Sequence, residues 1–73
     1  MTHEERLASY PILKFFEYVH LAPRLAEVSA PICELAHAMA EIDGGAETSA
    51  GLRKLMEAKD CFVRAALIAG TLR

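Results

Sequence analysis

The chain has 73 residues, of which 53% are hydrophobic, and its formal net charge is −2. A core of this size supplies only about 3–5 kcal/mol of stability, so disulfides, a metal or self-association usually add to it. Cys33 and Cys61 lack metal-ligand spacing and are predicted to be reduced, buried thiols. No membrane span or signal peptide is expected, and no cofactor. Self-association is the expectation that remains.

Charge is distributed unevenly along the chain. Residues 1–51 carry three Lys and Arg against eight Asp and Glu, a net −5, whereas residues 52–73 carry five against two, a net +3. A chain this acidic lacks the basic footprint of a protein that binds long nucleic acid. The basic last segment instead favours a small, contained anion as the partner.

Residues 1–21 are predicted to form a short helix followed by an aromatic connector. Thr2 and Glu5 have the spacing of a capping box, which predicts a helix from His3 to Ser9. Pro11 interrupts that helix. The following segment, 11–21, is rich in aromatic residues without a clean period, so a short helix or turn lying across the longer helices is expected.

Residues 22–43 are predicted to form one kinked helix. Pro23 suits a first helical turn and Gly44–Gly45 a stop, while Pro31 removes one backbone hydrogen bond inside the helix. The large apolar residues of this segment recur at spacings of four and three: Leu21, Leu25, Val28, Ile32, Leu35, Met39 and Ile42.

A second stripe on the same helix consists of small residues. They are Ala26, Ser29, Cys33, Ala36 and Ala40. Because a helix with two apolar faces needs neighbours on both, and a hairpin supplies only one, this stripe predicts contact with a partner chain.

Residues 48–70 are predicted to form the last helix, with Thr48 and Ser49 as candidate caps. Lys59 lies in the middle of its apolar stripe. An ammonium there must form an ion pair, extend to water, or face an anion. The predicted fold is therefore all-α: a short N-terminal helix plus an antiparallel pair of longer helices, assembled as a homo-oligomeric bundle.

No catalytic constellation is recognisable, and we do not predict an enzyme. The histidines are scattered, and a Cys33–His37 pair at i, i+4 lacks a third group to orient it. The acidic and basic residues of the last helix also permit an ordinary interpretation. Arg53–Glu57 and Asp60–Arg64 have the i, i+4 spacing of an exposed ion-pair ladder.

Four residues are candidates for ligand binding: Tyr18, Lys59, Arg64 and Arg53. A tyrosine can stack on a base, and cations can hold phosphates. Ordinary alternatives stay open for two of them. Tyr18 can simply pack in a core or interface, and Lys59 can pair with a carboxylate of a neighbouring chain.

Several phrases resemble a family of small phage proteins, the anti-CBASS cyclic-nucleotide sponges. They are Phe16 to Leu21 (FEYVHL), Glu27 to Pro31 (EVSAP), Leu35-Ala36 and, above all, Leu52 to Ala65 (LRKLMEAKDCFVRA). The resemblance covers roughly residues 15–66, and the last phrase is its specific part.

The resemblance implies a compact all-α homohexamer that sequesters cyclic dinucleotides such as cyclic GMP–AMP, and cyclic trinucleotides at separate pockets, without cleaving them. It further implies immune evasion in the cytoplasm of an infected bacterial host. Tyr18 matches the tyrosine that stacks a base in the dinucleotide pocket. Arg64, and next Arg53, match the arginine of the trinucleotide pocket, while Lys59 lies in the shared string without assignment to one pocket.

A second hypothesis uses no ligand. The chain could be a helical oligomerisation or adaptor module of a phage protein assembly. Its helix with two apolar faces would then bind a partner protein. That hypothesis explains both stripes of residues 22–43 but leaves Lys59 and the basic C-terminal segment without a role.

Overall fold

The computed structural model describes residues 1–72, with side chains as far as Gly70. The described chain is all-helical: α1 (His3–Ser9), a 3₁₀ helix (Pro11–Phe16), α2 (Pro23–Met39) and α3 (Ala46–Leu72). α2 and α3 are antiparallel, because the guanidinium of Arg24 lies against Gly70 at one end while Met39 and Leu52 line a common groove at the other.

α1 begins as the sequence predicts. The Thr2 hydroxyl accepts a hydrogen bond from the amide of Glu5 at 3.1 Å, and the Glu5 carboxylate accepts one from the amide of Thr2 at 3.2 Å. This capping box satisfies two amides that a helix N-terminus otherwise leaves without partners. The predicted helix from His3 to Ser9 is confirmed.

α2 runs through Pro31 without a break and has Pro23 in its first turn. It ends at Met39, four residues before the predicted limit, and a turn leads to Gly45, whose φ of +58° suits glycine. α3 begins at Ala46, two residues before the predicted start. Thr48 lies inside its first turn, where its hydroxyl accepts from the Gly44 amide at 3.1 Å and donates to the Ile42 carbonyl at 2.9 Å.

The core lies where the 3₁₀ helix crosses the α2–α3 pair. Leu13 and Phe16 of the 3₁₀ helix are fully buried, as is Leu52 of α3. They pack in a single apolar cluster with Tyr10, with Ala36 of α2 and with Ala40, which caps the end of α2. The aromatic connector therefore supplies most of the large side chains of the core, as expected for a segment that lies across longer helices.

The small-residue stripe of α2 faces this core. Ser29, Ala36 and Ala40 are fully buried within the chain, so the chain itself covers this part of the stripe, and contact of α2 with a partner chain stays a prediction. Its small side chains let the 3₁₀ helix and α3 approach α2 closely. The Ser29 hydroxyl has no hydrogen-bond partner within the part of the chain that the structure describes.

The protein is a thin plate. Its Cα atoms extend over 43 × 21 × 14 Å, with a radius of gyration of 13.1 Å against about 11 Å for a compact chain of this length. The 27 residues of α3, about 40 Å long, set the long dimension. Two layers of helices fill the thickness, with the α2–α3 pair in one and α1 and the 3₁₀ helix in the other.

Candidate functional site

Tyr18 follows the 3₁₀ helix and lines an open cleft of about 510 Å³ beside α1 and α2. The residue is half-buried. The other residues of the cleft are His3, Arg6, Glu17, Val19, Cys33, Glu34 and His37. This geometry permits a flat ligand to lie against the tyrosine.

Arg6 organises one wall of the cleft. Its Nε donates to Nδ1 of His37 at 3.0 Å, and its Nη1 donates to the Glu41 carboxylate at 2.8 Å. The N-terminal ammonium also reaches Glu41, at 3.1 Å. His3 stacks on His37 with ring centroids 5.1 Å apart. The histidines that looked scattered in sequence thus include one stacked pair.

These contacts shift two pKa values. Burial, then the charge of Arg6, lowers the pKa of His37. Hydrogen bonds from Arg6 and from the N-terminal ammonium lower the pKa of Glu41. At neutral pH His37 is therefore an uncharged acceptor for Arg6. The Arg6 guanidinium already donates to three partners: His37, Glu41 and the Met1 carbonyl.

Cys33 lies on the same side of α2 as His37, one helical turn away. Burial raises the pKa of its thiol, and the carboxylates of Glu17 and Glu34 raise it further. A thiol held in its protonated form is a poor nucleophile. The ring nitrogen of His37 that accepts a hydrogen bond takes it from Arg6 and not from the thiol.

The cleft of Tyr18 does not supply its own phosphate-binding cations. Glu17 and Glu34 line it, and its one guanidinium, that of Arg6, is paired with Glu41. None of the three candidate cations of α3 is among its lining residues within the described chain. A phosphate placed beside Tyr18 therefore needs a cation from elsewhere.

Arg53 and Arg64 are exposed and lie on nearly the same side of α3. Eleven residues separate them, which is about 16 Å along a helix. Lys59 projects about 140° away from Arg64. Its side chain is only 13% exposed, and its ammonium lies 2.7 Å from Asp60. A single chain therefore does not bring these three cations together on one phosphate.

The predicted ion-pair ladder of α3 does not form. Among the described residues, the only ion pair on this helix joins Lys59 to Asp60. Arg64 instead donates to the sulfur of Cys61 at 3.5 Å. Both arginines are consequently available to an external anion.

The described part of the chain has neither a cluster of metal ligands nor a membrane-spanning helix. The described side chains contain no group of three or more metal-ligating residues placed to hold an ion. The helices that the structure describes are also too short or too polar to cross a bilayer.

Sequence reasoning missed Arg6, His37 and Glu41 as a connected group. Arg6 and His37 are 31 residues apart, and no local pattern pairs them. The only sequence signal was the capping box, which fixes α1 and hence the direction of Arg6.

Comparisons with protein-family models, with curated proteins and with solved structures give no match to this chain.

Proposed function

We propose that the chain sequesters cyclic di- and trinucleotides without cleaving them, and thereby withholds the second messengers of a bacterial anti-phage defence in the host cytoplasm. The observation that carries the proposal is the exposure of Arg53 and Arg64 on the basic helix of an otherwise acidic chain. Neither forms an ion pair within the described residues. Charge-assisted bonds from guanidinium to phosphate are roughly twice as strong as neutral hydrogen bonds.

The base and the phosphates would be bound by different parts of the surface. Tyr18 lines an open cleft, and stacking on an aromatic ring contributes about 1–3 kcal/mol per base. The cations lie on α3, outside that cleft. Several copies of the chain, up to the hexamer that the sequence resemblance implies, would complete the ligand pockets. Such an assembly would bring Tyr18 of one copy close to the cations of α3 of another.

Isothermal titration calorimetry with a panel of cyclic di- and trinucleotides tests the proposal. We expect binding of at least one class, and recovery of the intact ligand after the complex is denatured. Linear dinucleotides serve as the matched control for the ring. Absence of heat with every cyclic ligand, from protein whose folding and assembly have been verified, contradicts the proposal.

A second candidate function is that of a helical adaptor that binds a protein and no nucleotide. The observation that favours it is the exposure of large apolar side chains on α2, on the turn after it and on α3, among them Leu35, Ile42 and Phe62. Light scattering separates the two candidates. A closed homo-oligomer without any partner supports sequestration, and a monomer or dimer supports the adaptor.

A further inference from the structure

The carboxylate of Glu17 faces the Tyr18 cleft. Glu17 caps the end of the 3₁₀ helix and lies directly before Tyr18, and both residues line the cleft. Its charge acts on two groups of α2 in the same cleft. Burial, then the charge of Glu17, raises the pKa of the Cys33 thiol. Burial and Arg6 lower the pKa of His37, and the charge of Glu17 opposes them. Glu17 therefore lies over the side of α2 that forms the cleft wall.

This carboxylate is not satisfied within the chain. Glu17 is exposed, and among the residues that the structure describes its side chain forms no hydrogen bond and no ion pair. The guanidinium of Arg6 is held by other acceptors, among them the Glu41 carboxylate at 2.8 Å. An ionised carboxylate has two oxygens that only accept hydrogen bonds. A ligand in the cleft thus meets two free acceptor atoms from the residue next to Tyr18.

Glu34 lines the same cleft but is less well placed. Its charge affects the Cys33 thiol less than that of Glu17 does, although Glu34 is the next residue in the chain. It has no resolved effect on His37. The Glu34 carboxylate therefore extends away from the Cys33–His37 side of α2, whereas the Glu17 carboxylate lies over it.

A carboxylate beside a stacking surface discriminates among bases by their hydrogen-bonding edges. The Watson–Crick edge of guanine carries two adjacent donors, N1–H and the 2-amino group, which match the two oxygens of one carboxylate. Adenine carries a single donor, the 6-amino group, next to the N1 acceptor, whose lone pair would face a carboxylate oxygen. The pyrimidines of RNA also lack two adjacent donors. Guanine is therefore the base that satisfies both oxygens.

We propose that Glu17 makes the Tyr18 cleft selective for guanine, with the base stacked on Tyr18 and donating both N–H groups to the Glu17 carboxylate. The inference rests on the proposed function and names the base that this cleft prefers. The cleft volume of about 510 Å³ lies within the roughly 300–1,000 Å³ of small-molecule sites. Because guanine supplies donors to an acceptor without any, this preference needs no cation in the cleft. The phosphates of the same ligand are still bound by cations from outside it.

Calorimetry with three cyclic dinucleotides tests the base preference. Cyclic di-GMP should bind about 10-fold more tightly than cyclic di-AMP, as expected for a hydrogen bond to a charged group at an exposed site. Cyclic di-IMP, whose hypoxanthine lacks only the 2-amino group of guanine, should fall between them. If no cyclic dinucleotide binds, the proposed function and this inference fail together. If the three bind with equal affinity, the inference alone is overturned.

Glu17→Gln tests the residue. An amide side chain presents one acceptor and one donor, which is the complement of the adenine edge. Cyclic di-GMP binding should therefore weaken about 10-fold, whereas cyclic di-AMP binding should not weaken. A merely structural role of Glu17 would weaken both ligands alike.

Glu27→Gln is the matched control for the loss of charge. Glu27 is exposed on α2 and is not among the described residues that line the cleft. Both dissociation constants should stay within about twofold, after circular dichroism and light scattering have verified the fold and assembly of each variant. Unchanged cyclic di-GMP affinity in Glu17→Gln, or a guanine preference lost in Glu34→Gln instead, overturns the role of Glu17.

Discussion

The ammonium of Lys59 lies 2.7 Å from the carboxylate of Asp60, the next residue along α3. Adjacent residues of a helix project about 100° apart, so the lysine side chain must bend around the helix to reach this partner. Its stem consequently stays against the protein, and only 13% of the side chain is exposed. Lys59 thus combines an apolar stem on the packed face with an ion pair at the edge of that face.

Two substitutions separate the stem of Lys59 from its charge. Lys59→Met keeps the stem, and we expect it to change the free energy of unfolding by less than about 0.5 kcal/mol, because ion pairs with an exposed partner contribute little. Lys59→Ala removes packed methylene groups and should cost about 1–2 kcal/mol. Urea denaturation measures both values. An equal cost for the two variants would show that the charge, and not the stem, is what stabilises the fold.

Acidification should destabilise the chain in two steps. The pKa of His37 is lowered from its ordinary 6.5, so the unfolded state binds the proton first and stability falls as the pH drops below 6.5. The pKa of Glu41 is lowered from 4.5, so its contribution is present above 4.5 and is lost as the pH falls through its folded-state pKa. The urea midpoint measured from pH 7.5 to 3 should decline accordingly.

Glutamine substitutions show whether His37 causes the first of these two losses of stability. His37→Gln keeps an acceptor for Arg6 but cannot titrate, so the decline between pH 6.5 and 5 should flatten. His20→Gln is the matched control, because His20 is exposed and lies outside the cleft, and it should retain the decline. A wild-type midpoint that is constant from pH 7.5 to 5.5 would contradict the role of His37.

The hydroxyl of Thr48 makes two hydrogen bonds in the α2–α3 turn. Thr48→Val preserves the shape of the side chain but removes both, and leaves the Gly44 amide and the Ile42 carbonyl only their backbone hydrogen bond to each other, at 2.9 Å. We expect a loss of about 1–2 kcal/mol in the free energy of unfolding and faster hydrogen exchange at Gly44. Ser49→Ala, at the neighbouring exposed position, should change stability by no more than about 0.5 kcal/mol. If the two variants cost the same, the Thr48 hydroxyl does not stabilise the turn beyond its backbone hydrogen bonds.

Local patterns predicted the helices well. The capping box gave α1, and the aromatic connector gave the 3₁₀ helix with its buried Leu13 and Phe16. These signals act over a few residues, so they can be recognised without a fold. The end of α2 was placed too late, because its apolar periodicity continues to Ile42 although the helix ends at Met39.

The faces of α2 were harder to assign. Periodicity shows that a helix has two apolar stripes, but it does not show which one meets the rest of the chain. Here Ala36 and Ala40 face the core, because their small side chains leave room for Phe16 and Leu13. Leu35 is 47% exposed instead. The partner of Lys59 was unpredictable for a similar reason, since an ion pair between adjacent residues is not expected from helix geometry.

Arg64 should matter for trinucleotides more than for dinucleotides. Arg64→Ala removes a charge-assisted contact worth about 1.5–3 kcal/mol, so we expect trinucleotide affinity to fall roughly 10- to 150-fold. Dinucleotide affinity should stay within twofold. Lys54→Ala removes another exposed cation of the same helix and serves as the charge control in calorimetry. Equal losses in the two variants would indicate a general effect of net charge.

Tyr18 should show the opposite preference. Tyr18→Ala removes the stacking surface, and a loss of about 1–3 kcal/mol corresponds to roughly 5- to 150-fold weaker dinucleotide binding. Tyr18→Phe keeps the ring and should bind within about threefold of wild type, which separates stacking from a hydrogen bond by the hydroxyl. Both variants are compared by calorimetry after light scattering has shown that the assembly is unchanged. If Tyr18→Ala abolishes the binding of both ligand classes in an intact assembly, the assignment of two separate pockets is wrong.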